Sequence, residues 1–211
     1  MTRLCRPDAQ PVGMTHWHAG STVEVTVEAG EAAMTTVGWR TARTGELWGV
    51  ASLLLGAAVA VLLGVFAAVH TPTEVPAFGF ESPIAMMVWL GTAAGCLALV
   101  QLATAVGMFT RGGRVVARVH RTSGVLAVVL SLPVAYACLW SWGFGAQSPR
   151  VLVHSVTGCL VYGALVTKLL GLHVPRMPSW LVPVAGGVLL TSVVATTLTS
   201  SLWYFAEFGA P

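Results

Sequence analysis

Five long apolar runs constrain this chain more than any other feature of its sequence. About 20 residues of helix are needed to cross the roughly 30 Å hydrocarbon layer of a membrane, and each run reaches that length. Backbone groups in lipid must bond within their own segment, so each run is predicted to be helical. The runs cover residues 47–69, 84–109, 116–140, 151–172 and 180–205. The sequence therefore predicts an all-α, polytopic transmembrane helix bundle of about five spans within residues 47–211.

The composition agrees with a membrane bundle and argues against a soluble domain. Hydrophobic residues make up 55% of the chain and charged residues only 9%, whereas soluble domains carry about 25% charged residues. The formal net charge is +3, and the basic residues lie in short loops rather than along one stripe. We therefore expect a lipid bilayer as the partner and no nucleic acid.

The basic residues also predict the orientation of the bundle. Short cytoplasmic loops carry an excess of Lys and Arg. Residues 110–121, from the end of run two into the start of run three, hold four arginines, whereas residues 70–83, between runs one and two, hold no Lys or Arg. Arg40 and Arg43 precede run one. These positions predict a cytoplasmic N-terminus and a C-terminus on the outer side.

Residues 1–46 are polar, with acidic and basic residues mixed, and we expect a mostly disordered cytoplasmic arm there. Residues 22–28 alternate in the manner of a strand, but one isolated strand is marginally stable. The preference for Arg over Lys, with much Ala, Val and Gly, is typical of a GC-rich bacterial genome. The expected location is therefore the bacterial plasma (inner) membrane, as a multi-pass protein.

Four histidines fall at the ends of the predicted spans. His70 and His154 lie at the outer level, and His120 and His173 lie at the inner level. Ionisable side chains inside a membrane bundle are costly and usually functional. Two depth-matched pairs favour ligand binding, while interfacial anchoring of the imidazoles stays open as the alternative.

Two imidazoles at one depth on neighbouring helices suit the two axial positions of a b-type haem. Zinc or di-iron sites would use carboxylates or more ligands, and the five runs contain no Asp or Glu. The sequence therefore predicts haem b as the cofactor. Two haems are expected, with His70 and His154 as the iron ligands of an outer haem and His120 and His173 as those of an inner haem.

Glycines near these histidines fit a flat cofactor. Gly124 follows His120 by four residues and Gly158 follows His154 by four, which places each glycine on the face of its histidine. A glycine there removes a side chain and lets a macrocycle approach. Gly64 on run one is a third candidate for this role.

Two arginines are candidates for binding the haem propionates, because Arg pairs with carboxylates through two hydrogen bonds. Arg121 lies at the inner level, beside His120. Arg150 lies four residues before His154 and is the only basic residue of its outer loop. Arg150 therefore departs from the orientation rule, which makes it the more informative of the two. The hydroxyl-rich stretch of residues 191–201 is interpreted as a surface for close helix packing.

The sequence around these histidines resembles a known group of membrane proteins. His120-Arg121-Thr122-Ser123-Gly124 and His154-Ser155-Val156-Thr157-Gly158, with Tyr162-Gly163 and Leu172-His173, resemble cytochrome b561-like and ferric-reductase-like membrane cytochromes. The resemblance covers about residues 47–175 and extends to small actinobacterial membrane proteins of this layout. It implies two b haems, the four axial histidines named above and electron transfer across the membrane. In the b561 type each of four helices supplies one histidine, whereas here run four supplies two.

Two functions follow as expectations. The first is a b-type membrane cytochrome that relays electrons across the membrane through two bis-His haems, with a quinol or a redox protein as donor and acceptor. The second is a cofactor-free integral membrane subunit or scaffold of a larger complex. Whether the chain is an oxidoreductase in its own right, and whether it forms homo- or hetero-oligomers, stays open.

Overall fold

A computed structural model describes residues 23–110, 112–174 and 177–211, with side chains from Gly45 onward. The described residues form helices and contain no strand. Helices α1 to α5 contain the spans, a sixth short helix follows α5, and both α3 and α5 continue into a π-helical segment. The bounds are α1 Val23–Val69, α2 Pro83–Thr110, α3 Arg114–Ala137 with Cys138–Trp142, α4 Pro149–His173, α5 Leu181–Thr197 with Leu198–Leu202, and α6 Trp203–Phe208.

Five helices are long and apolar enough to cross a membrane, as the sequence predicts. Their candidate spans are Gly45–Val69, Pro83–Thr110, Arg114–Trp142, Pro149–His173 and Leu181–Phe208. Each span matches one apolar run, with ends that differ by up to three residues. The all-α, polytopic class is therefore confirmed. We name the end that carries His70 and His154 the outer end, and the opposite end the inner end, after the predicted orientation.

Residues 1–22 of the amino-terminal arm lie outside the described residues, and from Val23 the backbone belongs to helix α1. Residues 28–34 include Glu, Ala and Met, which are strong helix formers, and extending an existing helix adds one hydrogen bond per residue. The chain divides into two compact units after Ala42, and all five spans belong to the second, Arg43–Pro211.

The spans pack in antiparallel pairs. Helix α2 contacts α3 and α5, and α4 contacts α5. Helix α1 packs closely on α4, because small residues recur every four positions on both helices. A Cβ atom at Gly56 or Gly163 would lie 2.5 Å from the carbonyl oxygen of the other glycine. The Thr167 hydroxyl donates to the carbonyl of Ser52 at 3.2 Å. Such stripes of small residues let membrane helices approach closely.

Both π-helical segments lie at the outer end of the bundle. The first ends at Trp142 and is followed by Gly143, whose φ of 69° suits glycine. The next residue, Phe144, donates its backbone N–H to the carbonyl of Ala67 on α1 at 3.0 Å. The loop after α3 is thereby tied to the end of α1. π-Helical turns are rare and often occur at functional sites, which makes the outer end a candidate for the functional site.

Candidate functional site

His70 lies directly after α1 in a cluster of aromatic rings. Its ring stacks on Phe66 with 4.9 Å between centroids and meets Trp140 edge-on at 5.7 Å. Trp140 belongs to the π-helical segment of α3. The Nε2 atom of His70 is buried and has no hydrogen-bond partner among the described residues. A buried polar atom without a partner costs free energy, so this nitrogen is suited to a partner beyond the described side chains.

His154 lies in the second turn of α4 and faces α5. Its Nδ1 is 3.4 Å from the hydroxyl oxygen of Thr199, which lies in the π-helical segment of α5. The Thr199 hydroxyl donates its proton to the carbonyl of Ala195 at 2.7 Å. This shorter bond to Ala195 favours the Thr199 oxygen as the acceptor, and with it the tautomer of neutral His154 that carries its proton on Nδ1. Nε2 then carries the free lone pair.

Arg150, one turn before His154 on α4, also reaches α5. Its guanidinium donates to the carbonyl of Thr199 at 2.7 Å. The same group lies 3.6 Å from the ring centroid of Trp203, within the range of a cation–π interaction. Arg121, the other arginine proposed for propionate binding, is exposed. The structure thus engages Arg150 with the neighbouring helix and leaves Arg121 on the surface.

His120 lies near the inner end of α3 and faces α2. Its Nδ1 is 2.9 Å from the hydroxyl oxygen of Thr104. Thr104 donates to the carbonyl of Val100 at 2.7 Å, so its oxygen accepts from Nδ1–H of His120. The amide of Gln101 donates to the carbonyl of His120 and to the hydroxyl of Ser123. These contacts again leave the lone pair on Nε2.

His173 is the last residue of α4 and is exposed. Its Nδ1 lies 2.8 Å from the carbonyl oxygen of Leu169, on its own helix. Because a carbonyl oxygen can only accept, the Nδ1 atom of His173 carries the proton. His173 therefore has the same tautomer as His120 and His154 when the three rings are neutral.

The contact between α3 and α4 sets the relative depth of the inner pair. The hydroxyls of Ser131 and Tyr162 are 3.0 Å apart. His120 and His173 each lie eleven residues from this contact, toward the inner end, or about 16 Å along each helix. Eleven residues make about three turns, so each histidine returns close to the face of its helix that makes the contact. The inner pair thus shares a depth, although the His120 ring is held by Thr104 of α2 and the His173 ring by its own helix.

The outer pair shares a depth but not a face. A Cβ atom at Gly64 on α1 would lie 3.7 Å from Sγ of Cys159 on α4. His70 is six residues beyond Gly64 and His154 is five before Cys159, so both lie about 8 Å farther toward the outer end. His154 faces α5, however, whereas His70 contacts α3.

The four histidines do not form one cluster. No hydrogen bond or ring contact of the described residues joins two of them. Across the same residues, no group of three or more His, Cys, Asp or Glu side chains could hold a metal ion. The arrangement therefore offers separate imidazoles and not a multidentate metal site.

The glycines proposed to admit a macrocycle differ in their surroundings. A Cβ atom at Gly158 would meet nothing within 4 Å, so space is open beside His154. At Gly124 it would lie 3.2 Å from Oε1 of Gln101, and at Gly64 it would contact Cys159. Neighbouring side chains therefore occupy the space at Gly124 and Gly64, whereas the space at Gly158 is open.

The two threonines that hold His120 and His154 were not predicted from the sequence. Thr104 and Thr199 each come from a different helix than their histidine, so no local spacing points to them. The hydroxyl-rich stretch of residues 191–201 was a partial signal, although it was interpreted as helix packing. Thr157 and Thr196 do pack there, with their hydroxyls 2.9 Å apart.

Comparisons with known proteins complete the description of this region. No curated protein matches the chain, and no solved structure matches it. A family model matches residues 47–211, the part of the chain that contains all four histidines and nearly all of the five spans. The chain belongs to this family, which is described as a family of unknown function (DUF6529).

Proposed function

We propose that this chain is a b-type membrane cytochrome that holds haem b between paired histidines and relays electrons across the membrane. The observation that carries the proposal is the state of the imidazoles. His120, His154 and His173 each have Nδ1–H engaged, and His70 has a buried Nε2 without a partner among the described residues. Ligating histidines usually donate Nδ1–H to an oxygen and bind the metal through Nε2.

The chemistry of the donor set favours haem over a bare metal ion. A structural zinc ion takes four protein ligands, and di-iron sites take carboxylates, whereas haem iron needs only axial ligands because the porphyrin supplies the other four. The described spans offer isolated imidazoles with no cluster of metal-binding side chains. Bound haem would supply one-electron chemistry, and these residues would hold the iron and set its surroundings.

We propose the same two histidine pairs that the sequence predicts. For His120 and His173, equal depth along α3 and α4 supports an inner haem. For His70 and His154, equal depth supports an outer haem, and the open space beside Gly158 leaves room for a planar group. Arg121 and Arg150 remain the candidates for the propionates. A quinol or a redox protein is the proposed donor or acceptor, which would make the chain an electron-transfer oxidoreductase.

The spectrum of the purified protein tests the proposal. The full chain is expressed with ample haem, purified in detergent, and examined by the reduced-minus-oxidised spectrum and the pyridine haemochrome assay. We expect about two haems b per chain with low-spin, bis-His spectra. A colourless protein would overturn the proposal and would support the cofactor-free scaffold instead.

The proposed location is the bacterial plasma membrane, with the N-terminus in the cytoplasm. The basic residues of the inner loops support this orientation, since Arg114, Arg118 and Arg121 follow the connection between α2 and α3. We expect a C-terminal reporter that is active only outside the cytoplasm to be active, and a cytoplasmic reporter at the same position to be silent. The reverse pattern would invert the bundle and exchange the outer and inner sites.

A further inference from the structure

We infer that Arg150 and Thr199 are positioning residues that set the tautomer of His154. The inference rests on the proposed function, because it concerns how the outer ligand is prepared for a haem. It starts from two side chains on α4, Arg150 and His154, that both reach one residue on α5. The Arg150 guanidinium donates to the carbonyl of Thr199, and Nδ1 of His154 lies 3.4 Å from the hydroxyl oxygen of Thr199. Arg150 and His154 lie one turn apart on α4, and both contact Thr199.

The π-helical segment of α5 makes the Thr199 carbonyl accessible to Arg150. In an α-helix the carbonyl of Thr199 would accept the backbone N–H of Trp203. Here the N–H of Trp203 donates to the carbonyl of Ser200 instead. The Thr199 carbonyl is turned toward α4, where Arg150 provides a charged donor at 2.7 Å. Inside a membrane such a carbonyl needs a donor, because lipid offers none.

Trp203 makes a second contact with the Arg150 guanidinium. The ring lies under Arg150, at 3.6 Å from centroid to Cζ. Arg150 is thus fixed by one hydrogen bond to the π-helical segment of α5 and one cation–π contact with the first residue of α6. These contacts give Arg150, a basic residue at the outer end, two partners within the chain.

The consequence for His154 follows from the direction of the hydrogen bonds. The shortest contact of the Thr199 hydroxyl is with the carbonyl of Ala195, which favours the oxygen as the acceptor of Nδ1–H and leaves the Nε2 lone pair free for iron. A hydrogen bond from Nδ1–H makes the imidazole a stronger ligand. A stronger ligand stabilises ferric iron more than ferrous iron. Loss of the bond should therefore raise the midpoint potential of the outer haem.

The experiment uses the full chain in detergent with two readouts. In haem-free protein, ¹⁵N NMR of labelled histidine reports the tautomer of His154, assigned by its absence in His154→Ala. In haem-loaded protein, a redox titration reports both potentials. The variants are Arg150→Met, Thr199→Val, Thr199→Ser and the Arg150→Met/Thr199→Val pair. Thr104→Val, which removes the equivalent hydroxyl from His120, is the matched control.

We expect a single Nδ1–H tautomer for His154 in the wild type and in Thr199→Ser, and a mixture in Thr199→Val and Arg150→Met. The outer potential should rise in both of the latter, by an amount of the order of a tenfold change in the ferrous-to-ferric ratio, about 59 mV for one electron. The double variant should show no more than the larger single effect, because both residues act through one contact. Thr104→Val should move only the inner potential.

Two results would overturn the inference. One is an unchanged His154 tautomer in Thr199→Val. The other is additive shifts of Arg150→Met and Thr199→Val, which would return Arg150 to an independent role such as propionate binding. A protein that shows the expected tautomers but binds no haem would refute the proposed cytochrome function and leave the positioning role intact.

Discussion

The two ends of the bundle hold their histidines in different ways. At the outer end, His70 lies against Trp140 of α3, and His154 lies against Thr199 of α5. Both neighbours belong to π-helical segments. At the inner end, His120 is held by Thr104 of α2, but His173 is exposed and bonds only to its own helix. The outer pair therefore depends on contacts between helices, whereas half of the inner pair depends on local structure alone.

We therefore expect the outer site to be more sensitive than the inner site to changes in helix packing. Three of the four imidazoles are oriented by another helix, so a change in helix spacing alters them. His173 keeps its orientation as long as the last turn of α4 is intact. The predictions below use this contrast, in order of the expected effect.

The largest effect is expected from removal of the ligands themselves. His70→Ala and His154→Ala should each remove the same haem, and His120→Ala and His173→Ala should each remove the other, because the iron loses an axial ligand. The haemochrome absorbance should fall by about half in every case, in line with two haems held by two pairs. Alanine at His16, upstream of the family match, is the control.

The redox titration of these variants decides the pairing. Retention of both haems with unaltered spectra in His70→Ala would exclude the outer pair, and a protein with one inner haem would then be the better description. A common loss in His154→Ala and His173→Ala, but not in the other two, would place both ligands of one haem on α4.

The next effect concerns the packing of α1 on α4. Gly163→Leu should push α1 away from α4, since even a Cβ atom there would lie 2.5 Å from the carbonyl oxygen of Gly56. Overpacking of this kind costs about 1–3 kcal/mol. The outer haem should be lost because His70 follows α1, while the inner haem should stay because α3 and α4 still meet at Ser131 and Tyr162.

The matched control for this variant is Gly187→Leu. A Cβ atom at Gly187 would meet nothing within 4 Å, so the added side chain should change the melting temperature little. Thermal unfolding in detergent and the haem content are measured for both. Equal loss of both haems in Gly163→Leu would contradict the difference between the two ends.

The sequence predicts the architecture of this chain well, for physical reasons that act locally. Span length and hydropathy depend on consecutive residues, so all five spans appear in the sequence. The shared depth of each histidine pair also follows from span ends and antiparallel order. The faces do not. That His154 faces α5 depends on the π-helical segment of Leu198–Leu202, which no composition or spacing in residues 191–201 indicates.

The surroundings of the glycines escape prediction for a related reason. Gly124 and Gly158 have the same spacing from their histidines, yet Gln101 fills the space at the first and nothing fills it at the second. The difference comes from a side chain on another helix.

The smallest of these effects is expected at Gly158, and it tests whether the open space beside His154 receives a planar cofactor. Gly158→Leu adds a side chain that meets nothing within 4 Å at its first atom, so the stability of the haem-free protein should change by no more than about 0.5 kcal/mol. If a macrocycle lies on this face, the leucine should lower the outer haem content without affecting the inner haem. Gly187→Leu, equally open but not adjacent to any of the four histidines, should leave both haems in place. Full outer haem content in Gly158→Leu, with an unshifted potential, would mean that the cofactor approaches His154 from another side, and the one glycine whose surroundings match its predicted role would lose that role.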